Sequence, residues 1–201
     1  MRALLIAFIV SAAVSAALSL TIGPQEFMKI VYMTPQGLVL IGRGLMTYWL
    51  VYPATGSELA AVFAAILFNN TVSLTAVLSA PAVIHLAHSR WRWDGGRPYT
   101  NWLLRSCGWS CCRKAIATIA IIYITMLGLT LSAAVLFRGP ALFMPLESAY
   151  VAIASITVYR ASQLQEEEFG VFYPKMVRKV LPTIATLLIT SAIIEAYELL
   201  W

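Results

Sequence analysis

Charge is scarce in this chain and unevenly spread. Only 11% of its 201 residues are Asp, Glu, Lys or Arg, about half the share of an ordinary soluble domain. None lies between Arg2 and Glu26, between Glu58 and Arg90, or between Lys114 and Arg138. Stretches of that kind cannot form an aqueous surface, which argues against a water-soluble globule. Catalytic signatures are missing as well. There is no H-E-x-x-H, G-x-S-x-G, Walker loop or G-x-G-x-x-G, so no residue pattern points to an enzyme. Cysteine is limited to Cys107, Cys111 and Cys112. An odd count in a C-x3-C-C arrangement is no disulfide framework, and in a cytoplasmic loop thiols stay reduced.

What is present is apolar: 60% of the residues are hydrophobic and the mean hydropathy is +0.80. Each charge-free run exceeds the roughly 20 residues that cross a hydrocarbon core of about 30 Å. Two further stretches, 140–159 and 180–201, are as apolar apart from Glu147, Glu195 and Glu198. The expected fold is therefore all-α: one polytopic transmembrane helical bundle over 1–201. Its five or so spans fall near 2–22, 58–88, 114–137, 141–160 and 180–201. Residues 1–19 share features with a secretory signal, a basic start followed by an apolar run with small residues, but are read as the first helix.

Residues 23–57 hold Gly23-Pro24, Pro35-Gln36-Gly37 and Pro53, which break the stretch into short pieces. The Trp- and Tyr-rich part, 38–52, suits an interfacial helix on the outer surface. A re-entrant or sixth segment is the alternative. Basic residues cluster in two loops. The first, 89–114, carries Arg90, Arg92, Arg97, Arg105, Arg113 and Lys114 against Asp94, and the second, 160–179, carries Arg160, Lys175, Arg178 and Lys179. The positive-inside rule then places the chain in the plasma membrane with its N-terminus cytoplasmic and its C-terminus outside. Trp91 and Trp93 alternating with Arg90, Arg92, Arg97 and Arg105 suit lipid headgroups or a partner, not nucleic acid.

Polar groups at membrane depth are costly and need partners. Asn69, Asn70, Glu147, Glu195 and Arg43 form the expected intramembrane polar cluster, either as helix–helix glue with Arg43 neutralising a carboxylate or as an ion or solute path. Glu147 follows Pro145 and suits the first turn of a helix. His85 and His88, spaced i, i+3, together with Cys107, Cys111 and Cys112, are weak metal candidates, and no cofactor is expected. Glu166-Glu167-Glu168 reads as a solvated charge run in a loop.

Three elements carry a family resemblance: Ile66-Leu67-Phe68-Asn69-Asn70, Pro145-Leu146-Glu147-Ser148-Ala149 and Ala192-Ile193-Ile194-Glu195-Ala196-Tyr197. In order and spacing, over residues 57–201, the chain resembles the stage II sporulation protein M family of small polytopic membrane proteins. The family's usual His-Gly after the proline is absent here, and glycines between the helices are few. The resemblance implies a non-enzymatic membrane protein of the envelope-remodelling type, acting with a protein partner or as a homo-oligomer. It also implies that Asn69, Asn70, Glu147 and Glu195 meet in the bundle. A small transporter, channel or permease subunit is the alternative.

Overall fold

The computed structural model of the chain describes residues 1–33, 35–93, 108–138 and 141–201. Among them every regular element is a helix: α1 (Arg2–Ile22), α2 (Pro24–Met33), α3 (Pro35–Thr55), α4 (Glu58–Trp93), α5 (Gly108–Arg138), α6 (Met144–Ala161) and α7 (Glu166–Leu200). Four of them, α1, α4, α5 and α7, are long and apolar enough to cross a membrane.

The pattern of burial is inverted relative to a soluble bundle. On α1 the buried residues are Leu4, Ser11, Ser15 and Ser19. Leu5, Ile6, Ile9, Val10, Val14 and Leu18 are exposed. The three serines recur every fourth residue, so they form one stripe on one face. That stripe lies on α5, where Ser15 Oγ donates to the Leu129 carbonyl at 2.7 Å. Gly128 makes the approach feasible, since a Cβ there would stand 2.8 Å from the Phe8 carbonyl oxygen and would run into Ser11 Oγ. Small residues at a helix contact with aliphatic ones facing outward is the arrangement that lipid favours, because tails compete with Leu but not with close backbone packing.

At the centre stands α6. Tyr150, Val151, Ala154, Ser155, Thr157, Val158 and Ala161 are all buried, packed among α4, α5 and α7. It is not among the four helices long and apolar enough to cross a membrane, and the physical reason is its position. A helix enclosed by other helices can carry Ser155, Thr157 and Glu147 where a lipid-facing one cannot. α1 and α5 run in the same direction, with Leu4 and Phe8 beside Ile124 and Leu127 at one end of their contact and Ser15 beside Leu129 further along. α4 runs against α5: its end, at His85 and His88, meets Trp109 at the start of α5.

Three expectations change. Residues 38–52 do not lie across the end of the bundle. α3 turns at Gly56-Ser57 into α4 and runs back along it, so that Leu40 faces Asn69. The cause is a close contact: a Cβ on Gly44 would sit 3.1 Å from Asn69 Nδ2, and the carboxamide finds its partner on the neighbouring helix. The last helix starts at Glu166, not near 180, and runs 35 residues through Pro174 and Pro182. Its first turn is the acidic triplet expected in a loop. A capping box between Gln165 and Glu168 starts the helix there, and three carboxylates suit the positive end of its dipole. α4 likewise continues to Trp93, and Pro81 is buried within it. Pro81 cannot donate to the Val77 carbonyl one turn back. Beside that gap, the hydroxyl of Tyr173 on α7 donates to the Leu78 carbonyl.

Candidate functional site

The described bonds of the expected polar cluster fall into two neighbourhoods. The first joins α6 and α7. Glu147 lies in the first turn of α6, its backbone N–H bonded to the Phe143 carbonyl at 3.0 Å. Tyr150, one turn further on and 1% exposed, donates to Glu147 Oε1 at 3.4 Å. The same phenol lies within electrostatic reach of Glu195 on α7 and of Tyr123 on α5. Ser191 Oγ donates to the Phe143 carbonyl at 3.4 Å. Glu198 accepts from the Leu142 N–H at 2.8 Å, which ties the α5–α6 connection to the last turn of α7. Sequence reasoning passed over Tyr150 and Glu198. The signal was available: Tyr150 is i+3 from Glu147, and Glu198 is i+3 from Glu195, so each shares a helix face with its carboxylate.

The second neighbourhood is the α3–α4 hairpin. Asn69 Nδ2 donates to the Leu40 carbonyl at 2.9 Å. Arg43, half-buried on α3, donates from Nε to Val39 of its own helix at 3.4 Å. The local bond is the described role of Arg43, and neutralisation of Glu147 or Glu195 by it is not among the described contacts. Asn70 is half-buried next to Asn69. Replacing Asn69 by leucine is expected to loosen the hairpin by about 0.6–2 kcal/mol, the usual range for a hydrogen bond between membrane helices. Faster proteolysis at Gly56-Ser57 and a lower melting temperature in detergent would register the change.

At the opposite end of the bundle α4, α5 and α7 meet in a cluster of rings. Phe169 is the hub: its ring centroid lies 4.8 Å from His85, 5.4 Å from Trp109 and 5.0 Å from Tyr173. Trp109 Nε1 donates to the Leu164 carbonyl at 3.0 Å, and Arg113 Nε to the Ser162 carbonyl at 2.7 Å. Both serve carbonyls just past the C-terminus of α6, where orphan acceptors and a partial negative charge favour such donors. His88 Nε2 stands 3.5 Å from Glu166 Oε1, a pair that is ionic only when the imidazole is protonated.

The weak metal candidates are thus engaged in packing. His85 stacks on Phe169 and meets Trp109 edge-on, while His88 faces Trp109 and Glu166. Among the described residues no three His, Cys, Asp or Glu side chains gather closely enough to hold a metal ion. Cys112 is buried and free. Cys111 is disulfide-bonded, against the expectation of reduced thiols: pairing follows how closely the fold brings two sulfurs together, which the compartment argument does not address. Cys107, Arg97 and Arg105 lie outside the described residues. Arg90, Trp91, Arg92 and Trp93 belong to the end of α4, and their side chains also lie outside the described residues.

This architecture defines a class: an all-helical bundle whose helices suit a lipid surrounding, with polar groups at helix contacts. Comparison with protein-family models, curated proteins and solved structures returns no match for the chain.

Proposed function

We propose that the protein is a non-enzymatic integral membrane protein of the plasma membrane that serves as a scaffold or subunit of a membrane complex, of the kind its resemblance to the stage II sporulation protein M family implies. The observation that carries this reading is the use of the polar groups. Asn69 bonds across to α3, Tyr150 bonds to Glu147, and Tyr173 bonds to α4. The grooves between helices are apolar instead: one of about 320 Å³ runs between α1, α5 and α6 past Leu4, Phe8, Ile124, Leu127 and Ile156. Two of these bonds, those of Asn69 and Tyr173, join separate helices, which supports a rigid assembly more than a solute path. In this reading α6 is the fifth crossing, with the N-terminus and the ring cluster cytoplasmic and Trp201 outside.

A small transporter or channel subunit is the second reading, favoured by one arrangement: Glu147 bonded to Tyr150, with Glu195 within electrostatic reach of the same phenol. Purification of wild type, Asn70→Leu and Glu195→Gln in mild detergent separates the two. A folded Asn70→Leu variant that loses a co-purifying membrane partner supports the scaffold. Ion-dependent thermal stabilisation that vanishes in Glu195→Gln supports transport. If the wild type is released from membranes by alkaline carbonate, the integral-membrane reading itself fails.

A further inference from the structure

Among the described residues, Arg43 on α3 meets no carboxylate. α3 packs on α4 and α2, and the rest of its surface is open: Leu38, Val39, Leu45, Met46, Trp49 and Leu50 are all exposed. These residues sit at helical spacing and form one continuous apolar face. Arg43 lies beside that face, 12 residues before the end of α3 at Thr55, or about 18 Å from the α3–α4 turn at 1.5 Å per residue. With the turn at a membrane surface, that is near the middle of a core of about 30 Å. The Nε–Val39 bond holds the head group along its own helix. Among the described residues the guanidinium meets no carboxylate. An unpaired cation at that depth is costly, and an anion brought to it in a low-dielectric layer recovers much of that cost.

Among the described residues no carboxylate supplies this anion to Arg43. Glu147 is bonded to Tyr150 and Glu195 lies within electrostatic reach of the same phenol, while the main packing partners of α3 are α4 and α2. A second copy facing α3 to α3 would oppose two arginines. Gly42, next to Arg43, is exposed, and a Cβ added there would meet nothing within 4 Å. It leaves a notch at the centre of the face, where another helix backbone can come close.

We propose that the outer face of α3 is the docking surface for a membrane-spanning helix of another protein that carries an Asp or Glu near its midpoint. The carboxylate pairs with Arg43 and the partner backbone seats over Gly42. This rests on the membrane-scaffold reading and names the kind of partner and its place. Buried charge pairs set partner choice and register, because a helix lacking the carboxylate leaves Arg43 unpaired.

The test uses the full chain in phosphatidylcholine vesicles, labelled with a donor fluorophore at its N-terminus. The probes are acceptor-labelled Leu/Ala-rich spanning peptides with Glu or Gln at the central position. The Glu peptide is expected to associate about tenfold or more tightly than the Gln peptide. Arg43→Gln should erase that preference, Arg43→Lys should retain part of it, and Gly42→Leu should weaken binding while the melting temperature holds. Equal binding of the two peptides, or a preference that survives Arg43→Gln, overturns the proposal. So does transfer between two copies of the protein that depends on Arg43 and is not displaced by the Glu peptide, since the occupant is then a second copy. A chain that inserts, resists carbonate and yet ignores the central Glu defeats this inference alone. A chain that does not insert defeats the membrane reading beneath it.

Discussion

Replacing Gly128 by leucine separates α1 from α5 and leaves the protein aggregated or lacking its first helix contact. The added Cβ would already stand 2.8 Å from the Phe8 carbonyl oxygen and collide with Ser11 Oγ, and Ala12 N lies 3.2 Å away. Two of these three neighbours are backbone, so no side-chain rotation relieves the clash. The helices must part, and the Ser15–Leu129 bond and the packing of Leu4 go with the contact. Overpacking usually costs about 1–3 kcal/mol, and more where backbone is the obstacle. Size-exclusion chromatography in mild detergent, with a thermal scan of the monodisperse fraction, reads this directly. Gly42→Ala is the matched control. Its Cβ meets nothing within 4 Å, so the melting temperature should hold or rise slightly through better helix propensity. A Gly128→Leu protein as stable as wild type would mean that α1 does not pack here.

Removing the ring of Phe169 should be nearly as damaging at the other end. Phe169 is 2% exposed and is, among the described residues, the one stacked with or edge-on to His85, Trp109 and Tyr173 together. Alanine leaves a cavity between three helices, for which about 3–5 kcal/mol is usual, with aromatic pair energies of about 0.5–1.5 kcal/mol beyond area alone. The loss is local in structure: the start of α7 and the Leu164 and Ser162 carbonyls capped from α5 should loosen first. Hydrogen exchange at the α6–α7 connection would rise before exchange in α5. Phe169→Leu keeps most of the volume and should recover over half of the loss. If Phe169→Ala exchanges like wild type in that connection, the ring cluster does not hold this end together.

Much of the architecture was legible from the distribution of charge. Long runs without Asp, Glu, Lys or Arg mark apolar helices because ionised side chains cannot be left in hydrocarbon, and these runs fall in α1, α4 and α5. The polar exceptions were legible as well, since Asn69, Glu147 and Glu195 stand out in such a background. Their partners were not. Asn69 finds a carbonyl on α3 and Glu147 a phenol one turn away, choices that depend on which helix lies alongside and at what rotation. Helix ends were misjudged where capping outweighs hydropathy. The acidic turn at Glu166 is polar enough to read as a loop, yet its capping box starts a helix of 35 residues.

Composition and spacing by themselves determined that this chain is helical, that it is rich in segments fit for lipid, and that three serines recur along one face of α1. Those properties follow from local periodicity and from the cost of placing charge in hydrocarbon, which each segment carries without reference to any other. Only the tertiary structure decided that the serine stripe faces inward onto Gly128, that α3 runs back along α4 with Arg43 meeting no carboxylate among the described residues, and that α6 occupies the centre. Each of these depends on contacts between residues far apart in the chain, where close backbone approach and hydrogen-bond geometry, not hydropathy, choose between arrangements that are equally apolar.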